Sequence, residues 1–351
     1  MKKMLRSFGF FCLAMLMALS FVACGYRPVA STEAESTPIF SFDGKHEVKY
    51  ELFRFIFLQK KQAESGGDDA YFEGKDKAAL LAEYVKEAER EAAKVYALFS
   101  LCEKYGIDPY AEEVEEEITA QVELAIQGSE TEYGYGSVKA YLKEIGEQFL
   151  NDSVYRLYLR YDICERLLSA KLKKDEVITA KWEDVFAYYY GEETVCATWV
   201  LIPYSNLSGY TEGMRRTLYE EAKLKSNDDF KKMAAEYAIS QDPKELSTGL
   251  YFGHYEYDEL YSELVETAFS LAEGETSEPF YSGDGLYILR RLPKDMLYLG
   301  NENNKEMLNE GYMLHLFGQM LAAEEERLLT TVTYGDAFSS ITFDGVKMTE
   351  K

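Results

Sequence analysis

Leu81, Val85, Ala88, Ala92, Val95, Phe99 and Cys102 recur at alternating intervals of four and three residues. That spacing sets them on one stripe of a single long α-helix, and the stripe is read as core. The helix is expected to stop at Tyr105-Gly106, where glycine supplies the C-terminal cap, with Pro109 opening the next one. Val114, Ile118, Val122 and Ala125 give that following helix its apolar side, and Val154, Leu157, Tyr161, Cys164 and Leu168 do so for a later one. Residues 46–191 are therefore expected to be almost wholly helical. Glu112, Glu113, Glu115, Glu116 and Glu117 fall in the first turns of their helix, where carboxylates complement the helix dipole on a solvated face. The Asp-x-Asp-x-Asp-Gly pattern of a calcium loop is absent. Gly134-Tyr135-Gly136-Ser137 lacks the later Gly and the Lys of a phosphate loop, so it reads as a loop ending in a Ser137 helix cap.

The character changes near Thr194. Residues 195–203 form an apolar, β-branched run closed by Pro203, read as a strand. Residues 211–224 and 228–237 read as helices, with Asn227 and Asp228 as candidate caps for the second. Residues 249–255 are aromatic and β-prone, 260–271 helical, and 285–292 a final strand. The order β-α-α-β-α-β is that of a small α+β domain. A polar link after Pro293 leads to an apolar helix over 308–329, expected to pack on the helices of 46–191. The predicted fold is thus α+β: a mostly helical region over 39–193, a β-α-α-β-α-β domain inserted over 194–293, and a C-terminal part over 294–351 completing the helical region.

Six segments of the small domain, in order, resemble the parvulin-type (PpiC) peptidyl-prolyl isomerase domain. Val195 to Leu201 lies where that family has a strand with His-Ile-Leu. Asp229-Phe230 opens the family's Asp-Phe helix, and Ser240-Gln241-Asp242-Pro243 matches the loop with an active-site Cys or Asp. Glu266-Thr267-Ala268-Phe269 matches the end of the next helix. Gly274-Glu275-Thr276-Ser277-Glu278-Pro279 matches the Gly-Glu-x-Ser-x-Pro turn, and Gly285-Leu286-Tyr287-Ile288-Leu289 the closing strand. The surrounding layout resembles PrsA-like and SurA-like extracytoplasmic folding factors. The resemblance implies a proline cup formed by Leu260 and Leu264 with Phe252, and a catalytic position at Asp242. At the family's two histidine positions stand Trp199 and Tyr287, so the site reads as degenerate. Trp offers one donor and Tyr one hydroxyl, and both add bulk. Asp242 before Pro243 is equally a turn former, Leu260 and Leu264 equally core, and His254 a surface histidine.

The N-terminus has the parts of an export signal. Lys2, Lys3 and Arg6 precede an uncharged apolar run over 8–22, shorter than the roughly 20 residues of a spanning helix. Phe21-Val22-Ala23-Cys24 resembles the lipobox of bacterial lipoproteins, with Phe21 where leucine is usual. It implies a signal over 1–23, a diacylated Cys24 and a Gly/Pro/Ser/Thr-rich tether over 24–38.

The chain has 38 basic and 62 acidic residues, net −24, and losing the leader's three bases makes it more negative. Such an excess argues against nucleic-acid binding and for basic or neutral clients. Of five cysteines, Cys102, Cys164 and Cys196 remain after Cys12 and Cys24. Odd in number and each in an apolar pattern, they read as buried free thiols. Three histidines and no paired ligand spacing argue against zinc, and no cofactor is implied. Gly-x-Ser-x-Gly, Walker and dinucleotide motifs are absent.

Two readings remain open at the level of sequence. One is a lipid-anchored, membrane-held isomerase acting on unfolded or folding exported polypeptides. The other is a non-catalytic chaperone or surface lipoprotein using the same fold to bind peptides, for which 29 tyrosines and 20 phenylalanines would supply contact surface.

Overall fold

The computed structural model describes residues 28–127, 135–237, 249–255 and 261–347. The signal expected over 1–23, Cys24, Asp242 and Leu260 lie outside the described residues. In chain order the elements are β1 (Pro38–Phe42), β2 (His46–Lys49), α1 (Tyr50–Ser65), α2 (Lys77–Lys104), α3 (Glu112–Gln127), α4 (Val138–Glu147), α5 (Asp152–Lys174) and α6 (Trp182–Tyr190). There follow β3 (Val195–Pro203), α7 (Glu212–Leu224), α8 (Asn227–Glu236), β4 (Leu250–Phe252), α9 (Ser262–Ser270), β5 (Phe280–Ser282), β6 (Gly285–Leu292), α10 (Lys305–Leu329) and β7 (Thr333–Tyr334). The class is α+β, as expected. The described residues group into two compact units, 178–319 on one hand and 28–177 with 320–347 on the other.

In the mainly helical unit, α2 buries Val85, Ala88, Ala92, Val95, Phe99 and Cys102, most of the stripe read from the sequence. Asp76 starts the helix by accepting from the Ala78 and Ala79 amides. Gly106 follows its end at φ 75°, a left-handed conformation that favours glycine. α3 begins at Glu112, so Pro109 lies in the turn ahead of it. Its buried face is Val114, Ile118, Val122 and Ile126, with Ile126 in place of the expected Ala125. These residues pack with Tyr141 and Ile145 of α4 and with Tyr155, Leu159 and Ile163 of α5. The Ser137 cap is present, accepting from the Ala140 amide.

The acidic run of α3 is more than a solvated face. Glu115 pairs with both Arg156 and Arg160 of α5, and Glu117 accepts from Arg166 at 2.7 and 2.8 Å. Both arginines that share Glu115 are largely buried, so these pairs tie α3 to α5 in partly desolvated surroundings.

The expectation of nearly uninterrupted helix from residue 46 misses a small sheet. β1 pairs antiparallel with β2 on one side and with β7 on the other, setting Phe40 opposite Tyr334. His46 is in β2, half of a short hairpin, because Asp43 and Gly44 adopt positive φ and turn the chain. Phe343, in a 3-10 turn near the C-terminal end, packs its ring against Phe57, Phe72 and Tyr84. Beside it the Lys61 ammonium, 2% exposed, donates to the carbonyls of Phe343 (3.1 Å) and Val346 (2.7 Å) and lies 3.5 Å from Asp69. A buried lysine is tolerated because each of its donors has a partner.

The other unit is built on an antiparallel sheet of order β4-β3-β6-β5. β3 is buried along nearly its whole length. β3 and β6 have the residue bounds read from the sequence. α8 is capped by Ser226, which accepts from the Asp229 amide. The cap is thus one residue before the expected Asn227 and two before Asp228, since Ser226 holds the extended backbone an N-cap requires. Gly285 opens β6 against the Ile202 carbonyl, where a Cβ would come within 2.3 Å. Arg290 of β6 reaches back to the end of α7, donating to the carbonyls of Ala222, Lys223 and Lys225. Those are the carbonyls a helix terminus leaves without partners.

Candidate functional site

The register of β3 on β6 sets Trp199 opposite Leu289 and Leu201 opposite Tyr287. Side chains alternate between the faces of a strand, so Trp199 and Tyr287 are diagonal neighbours on one face. Their rings are 6.2 Å apart. β4 adds Phe252, paired with Val195, and its ring meets the Trp199 ring edge-on at 6.4 Å. Phe280 of β5 stacks on Tyr287 at 5.9 Å. α9 contributes Leu264, on the same buried face of its helix as Ala268.

Trp199, Tyr287 and Leu264 are 1% exposed and Phe252 0%. All four belong to one apolar cluster with Val195, Phe230, Met233 and Ile288. The structure therefore brings together four of the six residues the sequence nominates, as a closed apolar wall. The remaining two, Asp242 and Leu260, fall in stretches outside the described residues.

The polar atoms of this wall are few. The Tyr287 hydroxyl donates to the Asp284 carboxylate in the β5–β6 turn, at 2.6 Å. The Trp199 indole N–H finds no acceptor among the described residues. No histidine takes part. His46 packs on Tyr96, His254 stacks on Phe269 at 4.0 Å, and His315 faces Tyr188 and Glu193. Among the described residues no group of three or more His, Cys, Asp or Glu is placed to hold a metal ion.

Among the described residues this wall has no nucleophile; its rings are sealed from solvent, and its one tethered polar group is the Tyr287 hydroxyl.

A separate open hollow of about 530 Å³ in the same unit is lined by Tyr210, Met214, Leu218 and Tyr237 with Thr211 and Glu221. The sequence reading did not single it out, although Met214 and Leu218 follow helical spacing along α7, with Tyr210 just ahead of its cap. Nearby, Tyr204 and Tyr281 stack in parallel, and Arg215 donates to the Tyr281 hydroxyl at 2.8 Å.

Residues 214–292 match the family model described as Rotamase, the PPIC-type PPIASE domain. The foldase protein PrsA of Geobacillus kaustophilus is 34% identical over 90 residues, which is 26% of this chain and 31% of that protein. The foldase protein PrsA of Clostridium tetani is 24% identical over 322 residues, covering 88% of this chain and 89% of that one. Among solved structures, foldase protein PrsA from Streptococcus pneumoniae aligns with a TM-score of 0.31 at 15% identity, over 78% of this chain and 89% of that chain.

Proposed function

Taking as premise a PrsA-like chain with a parvulin-type rotamase domain, we propose that it is a lipid-anchored extracytoplasmic folding factor with weak peptidyl-prolyl isomerase activity. The match of residues 214–292 to a rotamase model carries this reading. What lowers the activity is the wall itself. Trp199 and Tyr287 occupy the two positions where the family resemblance calls for histidines, and their rings are buried. Preorganised polar groups are worth on the order of 10²-fold in rate where they stabilise a transition state. Here only the Tyr287 hydroxyl is held, by Asp284. An apolar cup of Leu264 and Phe252 with Leu260, opened from the buried state of the first two, would still favour the deconjugated amide, with Asp242 at the family's Cys/Asp position.

Binding of unfolded exported polypeptides is the part of the function that does not need the lost histidines. The open hollow beside Tyr210, Met214 and Tyr237 favours this second, chaperone reading. The overall acidity favours basic or neutral segments as clients. Anchoring is assigned to a diacylated Cys24, with the small domain (194–293) inserted into a helical body completed by 294–351. Val29 donates to Asp152 and Ser31 to Glu51, so the segment read as a tether is held to the helical unit at these two residues. No helix of the described residues is long and apolar enough to cross a membrane.

A protease-coupled isomerisation assay on Xaa-Pro peptides with the mature chain tests the catalytic part. The expected rate lies above the uncatalysed one and about 10²-fold below that of histidine-bearing parvulins, while suppression of client aggregation is retained. Parvulin-like rates in the unmodified chain would overturn the reading of the wall. For the anchor, Cys24→Ser should release the protein or leave its precursor unprocessed. A processed, unlipidated form that still fractionates with membranes would refute the lipid.

A further inference from the structure

Cys102 and Cys164 are far apart in sequence and both fully buried, on α2 and α5 of the helical unit. The packing of these two helices brings them together. The Cys102 thiol donates to the Cys164 carbonyl oxygen at 3.7 Å, and the two thiols are near enough to perturb one another. A sulfur that reaches the backbone of the other cysteine across two packed helices lies close to the short Cβ–Cβ approach a disulfide needs. Packed helices permit it: with axes about 8–10 Å apart and Cα atoms about 2.3 Å off each axis, facing residues fall within bridging range.

We infer that Cys102 and Cys164 form a dithiol site that closes to a disulfide, stapling α2 to α5, when the chain folds in the presence of a low-molecular-weight disulfide. The third thiol, Cys196, is in β3 of the other unit against Tyr251 and takes no part. The pairing belongs to α2 and α5 and stands whether or not the chain catalyses isomerisation.

Each thiol perturbs the other: Cys102 and Arg160 hold Cys164 below its ordinary range, while Cys164 and burial push Cys102 up. Closure written from Cys164 starts with its thiolate attacking one sulfur of the small disulfide. A mixed disulfide forms and one small thiolate leaves. Cys102 loses its proton to that thiolate and attacks the Cys164 sulfur, expelling the second small thiol. The protein gives up two electrons and two protons, and the small disulfide is reduced to two thiols.

Because both sulfurs are shielded in the folded chain, closure belongs to folding or to opening of the helix pair. The test is to refold the reduced, unfolded mature chain in a buffer of oxidised and reduced glutathione. Free thiols are then trapped by alkylation, and the peptides of the folded fraction mapped by mass. A linked pair of peptides containing Cys102 and Cys164, two hydrogens lighter than its parts, is expected, with Cys196 alkylated. The oxidised form should melt at a higher temperature than the reduced one, and Cys196→Ser should close as the unmodified chain does. A folded fraction with both thiols alkylated, a glutathione adduct persisting on either cysteine, or a link to Cys196 would overturn the inference. So would a linked product that lacks the helical circular dichroism of the reduced protein. The double variant Cys102→Ser with Cys164→Ser is a control only, since the mapping of the unmodified chain decides.

Discussion

A buried indole N–H without an acceptor costs about 1–3 kcal/mol, so Trp199 is held in the wall by packing against Phe252 and Tyr287. Converting both floor positions in the double variant Trp199→His with Tyr287→His would return two groups able to donate and accept. The expected outcome is a rise in peptide isomerisation of about tenfold or more, read in the same coupled assay with folding confirmed by circular dichroism; an unchanged rate in a folded double variant would show that the floor is not what limits activity. His315 sets a second expectation. Burial pushes its imidazole below the usual range, with Glu193 opposing and His254 reinforcing. A base whose folded pKa is depressed takes up protons more readily when unfolded, so its contribution is present above about pH 6.5 and is lost as pH falls below that value. The melting temperature at pH 5.5 relative to pH 7.5 should therefore drop less in His315→Gln than in the unmodified chain. An equal drop in both would mean the loss comes from elsewhere, for example His46, which burial also depresses. At this scale the sequence could place Trp199 and Tyr287 on their strands. It could not show that both would be sealed from solvent, since exposure depends on what the neighbouring elements cover.

The elements divide by how local their causes are. α2, α5, β3 and β6 were legible because an apolar period runs through each. β1, β2 and β7 were not, because they are short and their pairing partners are distant in sequence: Phe40 meets Tyr334 only once the two ends of the chain are together. Arg290 was missed for a similar reason. In the sequence it is a charge within a strand, and in the structure it terminates a helix belonging to another part of the unit. It is 4% exposed and serves three carbonyls around the end of α7. Arg290→Met keeps most of the volume, including the contact with the Phe230 ring, and removes the donors. Leaving buried acceptors unsatisfied should lower unfolding stability by about 3 kcal/mol, measured by urea denaturation. A loss below about 0.5 kcal/mol would mean that water replaces the guanidinium at those carbonyls.

Taken as a whole, the chain contributes to two units, and α10 has residues in both. Leu308 is buried with Tyr188, Tyr189 and Leu299. Further along, Glu324 accepts from Ser100, and Arg327 forms a two-bond pair with Asp43 at 2.7 and 3.0 Å. Arg327 holds the Asp43 carboxyl below its usual range. Being half exposed, this pair adds no more than about 1 kcal/mol; the larger loss on truncation would come from Leu328, Phe343 and Val346, all buried. A chain ending at Pro293 should therefore unfold at lower urea concentration in its helical unit, or aggregate. Unfolding indistinguishable from that of the full mature chain would assign α10 a role outside the core.

The small sheet at the edge of the helical unit bears on time as well as on shape. β1 enters among the first of the described residues, and its partner β7 is among the last; Asp43 waits for Arg327 across 284 positions. A chain delivered from its N-terminus has every strand of the β3–β6 sheet in hand while the helical unit still lacks an edge strand, a half-helix and the ring of Phe343. Closing so long a loop adds only slowly to the entropic cost, but it cannot begin before the end of the chain arrives. The segment made first is thus finished last, and until then α1 and α2 carry an apolar face with no cover of their own.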